Sequence, residues 1–204
     1  MTMQSTPGSR VIQMVLMVGA MMSSSVASAH PLHGAGFPGG FAHPFLGLDH
    51  LLAMLAVGLW AVQLGGHWRY LLPLGFVSAM CVGGVLAGMA MPDGLTLWLV
   101  ESLVEPMVAA SVLVLGLLIV ARSCARAAGV LIAAVFALFH GAAHVAELPS
   151  GIALGPYVAG FAAATVMLHA AGVAIGSALS RLGMLRLAGV PFLLAGTWLA
   201  MAAV

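Results

Sequence analysis

The chain has 204 residues, 63% of them hydrophobic and 5% charged, with eight histidines against six arginines and five acids, and no lysine. A typical soluble domain carries about 25% charged residues, so this composition excludes a water-exposed globular surface and describes an all-α integral membrane protein. The net charge of +1 and the absence of any basic run argue against nucleic acid as a partner.

Arg10 is the only charge in the first 29 residues, Val11 to Met22 forms an apolar core, and "SSSVASA" follows. Ala27-Ser28-Ala29 fits the small-residue rule for secretory cleavage. Residues 1–29 are therefore expected to be a cleaved signal peptide, an uncleaved extra helix being the alternative. The mature chain, 30–204, would begin at His30, outside the cytoplasmic membrane of a bacterium. His30 and His33 lie in "HPLHGAGFPGG". A free amine and imidazole on His30 would chelate an incoming ion, unless this stretch is only a tail.

Six apolar stretches follow, each long enough to span a bilayer, near 44–64, 70–91, 96–120, 127–147, 155–179 and 187–204. Their connections are short, which predicts a six-transmembrane-helix bundle with no soluble domain. The first span opens with "HPFLGLDH", carrying His43, Asp49 and His50. His43 precedes Pro44, which predicts a position at the helix N-cap. The second span repeats Gly84 and Gly88, and the fifth Gly172 and Gly176; small residues at this spacing let helices approach closely. The third span carries Glu101 and Glu105 one turn apart, and Pro106 should bend it by denying the Ser102 carbonyl an N–H. The fourth places His140, His144 and Glu147 on one stripe at i, i+4, i+7. His169 sits mid-span in the fifth, as a packed contact or as the continuation of a path. His67 falls in an interfacial loop. Cys81 and Cys124 form no CxxC pair, which argues against a disulfide framework.

Arg69, Arg122, Arg126, Arg181 and Arg186 all fall in alternate connections, whereas Asp93 and Glu147 fall in the others. The positive-inside rule assigns the arginine side to the cytoplasm, so both mature termini face outward. With that orientation, Asp49 and His50, Glu101 and Glu105, and His140, His144 and Glu147 share the outer half of the membrane. Ionisable groups there are costly and mark metal or proton pathways. Imidazole with carboxylate suits Zn, Ni, Co, Cu(II) or Fe. "HGAAH" lacks the general-base Glu of HExxH, Gly141 standing in its place, and no GxSxG occurs; the sequence offers no enzyme signature. A bis-histidine haem in a redox protein is the alternative use of paired histidines, and a purely structural polar cluster is the bland one.

"HPFLGLDH" (His43, Asp49, His50) resembles the H-x5-D-H motif of the HupE/UreJ nickel permeases. "FHGAAHVAE" (Phe139 to Glu147) is similar to that family's second motif, with Val145 in place of a glycine. The resemblance runs the length of the chain. It implies secondary, non-ATP uptake of Ni²⁺ for hydrogenase or urease, with His43, Asp49, His50, His140, His144 and Glu147 as the metal site. Glu101 and Glu105 would assist, and His169, His30 and His33 would be pathway residues. Nickel would be the transported substrate, with no permanent cofactor. Cobalt overlaps in ligand preference, so cobalt or another divalent transition metal is the alternative cargo. Oligomeric state is not legible.

Overall fold

A computed structural model describes residues 36–90, 100–122, 126–148 and 151–202. The expected signal peptide, His30, His33, Asp93 and Cys124 lie outside the described residues. Those described form seven α-helices and one π-helical turn, with no strand among them. Helices α1 (Phe37–Leu46) and α2 (Leu48–Leu64) meet at Gly47 and are bent by 85°. This corrects the single span expected over 44–64. Pro38 starts α1 in its first turn, where a missing N–H costs nothing. Pro44 then lies inside the helix and leaves the Gly40 carbonyl without a helical donor. Extended backbone at Gly47 (φ −89°, ψ 118°) turns the chain into α2. His43 is consequently inside α1 and not at an N-cap.

Helix α3 is Trp68–Ala90. The π-helical turn Val100–Val104 leads into α4, Glu105–Val120. A bend was expected beside Pro106; what the structure has there is this π-helical turn, since the proline nitrogen cannot close an α-helical bond to Ser102 and the turn is wound wider. Helices α5 (Arg126–Ala146), α6 (Leu154–Arg181) and α7 (Gly189–Ala202) complete the order. Four helices are long and apolar enough to cross a bilayer, and the bent α1–α2 pair makes a fifth candidate. Helix α7, with 14 residues, spans only ~21 Å at 1.5 Å per residue, short of a hydrocarbon core of about 30 Å. Where six spans were expected, the described residues hold four helices of membrane-crossing length, one broken pair and one short apolar helix.

Helix α2 is the centre of the bundle. Ala56, Val57, Gly58, Leu59, Trp60, Ala61 and Val62 are buried without a break, so every side of the helix is covered there. The surrounding helices bury one face and present the other: Leu71, Leu74, Val82, Val85, Leu86 and Met89 of α3 are all exposed. Such a face is what lipid would cover, and it makes this a membrane protein. In lipid, helices associate by close packing and not by the hydrophobic effect. Glycine supplies that here. A Cβ at Gly141 of α5 would overlap the Met80 carbonyl of α3, and one at Gly172 of α6 would overlap the Leu55 carbonyl of α2. Gly40 and Gly160 seat α1 on α6 in the same way. The packing roles expected for Gly84, Gly88, Gly172 and Gly176 hold, each facing a neighbouring helix at contact distance or closer.

These contacts also fix which helix ends lie together. Gln63 of α2 donates to the Leu118 carbonyl of α4 at 3.3 Å. Arg186 donates to the Val120 carbonyl at 2.6 Å. Gly129 of α5 lies against the Trp60 ring, and Gly176 of α6 against Val62. Arg69, Arg122, Arg126, Arg181 and Arg186 therefore gather at one end of the bundle. The opposite end holds the break at Gly47, the start of α6 and the finish of α5.

Candidate metal site

Four imidazoles converge at that opposite end. The break at Gly47 aims His43, from α1, and His50, from the first turn of α2, at the same point, with ring centroids 5.5 Å apart. Helix α5 brings His144 to 4.8 Å from His43 and 4.5 Å from His50. One turn deeper, His140 lies 5.3 Å from His50. His50, His140 and His144 are buried, and His43 is partly buried. One ligand atom from each of His43, His50 and His144 lies within 4.8 Å of the others. Imidazole nitrogens bound to one ion at about 2.0–2.1 Å would be roughly 3 Å apart, so the triad must tighten to grip an ion.

The tautomers follow from the hydrogen bonds. Asp49 Oδ1 accepts both the backbone N–H and the Nδ1–H of His50, at 2.8 and 2.9 Å. A carboxylate only accepts, so Nδ1 carries a proton, and in the neutral imidazole Nε2 keeps its lone pair. His140 likewise donates from Nδ1 to the Phe136 carbonyl at 2.9 Å, the usual back-bond of one helical turn. His50 Nε2, His140 Nε2 and both nitrogens of His144 have no hydrogen-bond partner among the described residues. Buried polar atoms without partners are expensive. A constellation of buried nitrogen lone pairs is what a borderline transition-metal ion binds. The Asp49–His50 pair has the form of a carboxylate that orients a ligand histidine without itself touching the ion.

Glu147 falls in the turn just after α5, and its Oε2 is 3.4 Å from His43 Nε2. Glu105 lies at the start of α4, within electrostatic reach of Glu147 and His50. The side chain of Glu101 lies outside the described residues. His169 of α6 is buried but apart from this cluster; its ring meets Phe76 of α3 at 5.3 Å. His67 is exposed beside Trp68.

Sequence reading missed the aromatic wall. Phe161 stacks on His144 at 4.6 Å, Tyr157 lies 6.3 Å from His43, and Phe76 lies 5.6 Å from His140. Only the i, i+4 spacing of Tyr157 and Phe161 on one face hinted at it. The Gly141 that departs from HExxH also has its reason here, because the α3 backbone occupies the space of any side chain at that position.

A family model described as HupE / UreJ protein matches residues 17–199. Protein HupE of Rhizobium leguminosarum bv. viciae is 42% identical over 164 residues, which cover 78% of this chain and 81% of that protein. No solved structure matches.

Proposed function

We propose, from the premise that this chain belongs to the HupE/UreJ family, that it is a secondary permease carrying Ni²⁺ inward across the bacterial cytoplasmic membrane. The family is one of transport and accessory proteins associated with nickel handling for hydrogenase and urease, and not of enzymes. The observation that carries the finer reading is the triad of His43, His50 and His144, whose ligand atoms converge within 4.8 Å inside an apolar bundle. His140, Asp49 and Glu147 complete the site. Asp49 orients His50, and Glu147 and Glu105 supply negative charge against a divalent ion. His30 and His33 would capture the ion, and Glu101 would be a secondary or pathway residue.

A permease needs a site that releases as well as binds. Neutral imidazoles that must close up around the ion meet that need better than a rigid cage. In this reading the signal peptide is removed after Ala29, the α1–α2 pair, α3, α4, α5, α6 and α7 make up six membrane segments, and the arginine end faces the cytoplasm with both termini outside. Cobalt fits the same donors, so competition decides the ion. The haem reading carries less, because the imidazoles touch one another edge to face and leave no slot for a macrocycle.

The test is radioactive nickel uptake in cells lacking other nickel importers, at matched membrane abundance. His50→Ala and His140→Ala are each expected to abolish uptake, with cobalt or zinc in excess giving the competition profile. Uptake indifferent to both substitutions would remove the cluster from the transport path.

A further inference from the structure

Three imidazoles of the cluster are aimed by a polar neighbour, and the fourth is not. Asp49 holds His50, and the Phe136 carbonyl holds His140. Glu147 lies 3.4 Å from His43. His144 has no such partner among the described residues, both its nitrogens being buried without a hydrogen bond. A histidine that ligates a metal almost always has its second nitrogen fixed by an outer hydrogen bond. His144 must be oriented by other means.

What His144 has is a ring. Phe161 of α6 stacks on it, with centroids 4.6 Å apart and planes inclined by 16°. The cluster imidazoles that His144 meets, His43 and His50, are inclined to it at 74° and 56°. A face-to-face contact fixes the plane of an imidazole and leaves its in-plane lone pair free for an ion. Stacked rings also attract beyond the area they bury. We propose that Phe161 is a positioning residue of the metal site: by stacking on His144 it holds that imidazole in the plane from which it joins His43 and His50 on the ion. The inference rests on the metal-site reading of the cluster given above.

The ring is itself held. Phe161 is fully buried. Tyr157, one turn earlier on α6, meets it edge-on at 5.9 Å. Its Cζ is turned to Gly84 of α3, where an added Cβ would lie 3.4 Å away. Its backbone nitrogen would lie 3.1 Å from a Cβ at Gly40 of α1, and His43 follows Gly40 by less than one turn. Phe161 therefore ties the helix that carries His43 to the ring of the helix that carries His144. Helix α6 gives the triad no ligand, yet it sets the register between two that do. An imidazole bound to a divalent ion takes on part of its charge, and the negative face of a phenyl ring favours that state.

The experiment is Ni²⁺ binding to the purified full chain by equilibrium dialysis, with the imidazoles around the ion counted by X-ray absorption at the nickel edge. Phe161→Leu keeps an apolar side chain in the core but offers no ring face. It should weaken Ni²⁺ binding about 10–100-fold, as loss of an orienting partner does, and lower the imidazole count by one. His144→Ala should lower the count in the same way. Phe161→Leu added to His144→Ala should then weaken binding no further, because residues that act through one shared contact are not additive. Phe161→Met should match Phe161→Leu and carries the test if that variant does not fold. An unchanged affinity or an unchanged count in a folded variant overturns the positioning role and leaves the permease standing. So does a loss of affinity that persists in full without His144, which would make the ring ordinary core. A wild type that binds no Ni²⁺ instead overturns the metal-site reading and this inference with it.

Discussion

Asp49 decides what His50 can offer. By holding a proton on Nδ1 it leaves Nε2 of the neutral imidazole pointing into the cluster as a lone pair. An amide at position 49 would keep the shape but lose the charge and accept more weakly. Asp49→Asn is expected to lower Ni²⁺ affinity about 10–100-fold, the usual effect of removing a ligand's orienting partner, while the protein still folds. Equilibrium dialysis on the purified variant measures this, and an unchanged affinity would reduce the pair to a structural contact. At this scale the histidines and acids were legible in the sequence, because an ionisable group in an apolar span has few reasons to be there. Phe76 and Phe161 were not, because an aromatic residue in a hydrophobic helix looks like any other packing residue until its neighbours are known.

At the scale of the helices, glycine places the donors. His140 and His144 reach the cluster only because α5 approaches α3 so closely that Gly141 tolerates no side chain. Gly141→Ala pushes a methyl group into the Met80 carbonyl and should cost roughly 1–3 kcal/mol, the ordinary cost of overpacking, or more since backbone must yield. Thermal unfolding in detergent should show a lowered midpoint, together with weakened Ni²⁺ binding as α5 is displaced. An unaltered midpoint would mean the two helices are not in such contact. Helix extents were legible to within a few residues, because length and hydropathy set them: 70–91 became Trp68–Ala90 and 127–147 became Arg126–Ala146. The break at Gly47 was not. Pro44 marks a helix start in most sequences, and only the seating of Gly40 on α6 holds a helical turn ahead of it.

At the scale of the molecule, charge and site lie at opposite ends. The five arginines of the described bundle gather where α2, α4 and α6 finish, and the histidine cluster lies where α2 begins. If the arginine end is cytoplasmic, the cluster faces the outside, where the ion arrives. A reporter enzyme active only outside the cytoplasm, fused after Val204, is expected to be active, whereas the same fusion in the connection after Arg122 should be silent. The reverse pattern would invert the path.

The sequence by itself determined the membrane solvent, the helical class, the stripe on α5 and the residue types of the site. Composition and spacing along one chain carry those directly. Which nitrogens converge, which carboxylate orients which imidazole, and which ring stacks on His144 were decided only by the tertiary structure. Those facts depend on the approach of helices far apart in sequence, and that approach is set by glycine contacts and by an 85° turn between α1 and α2.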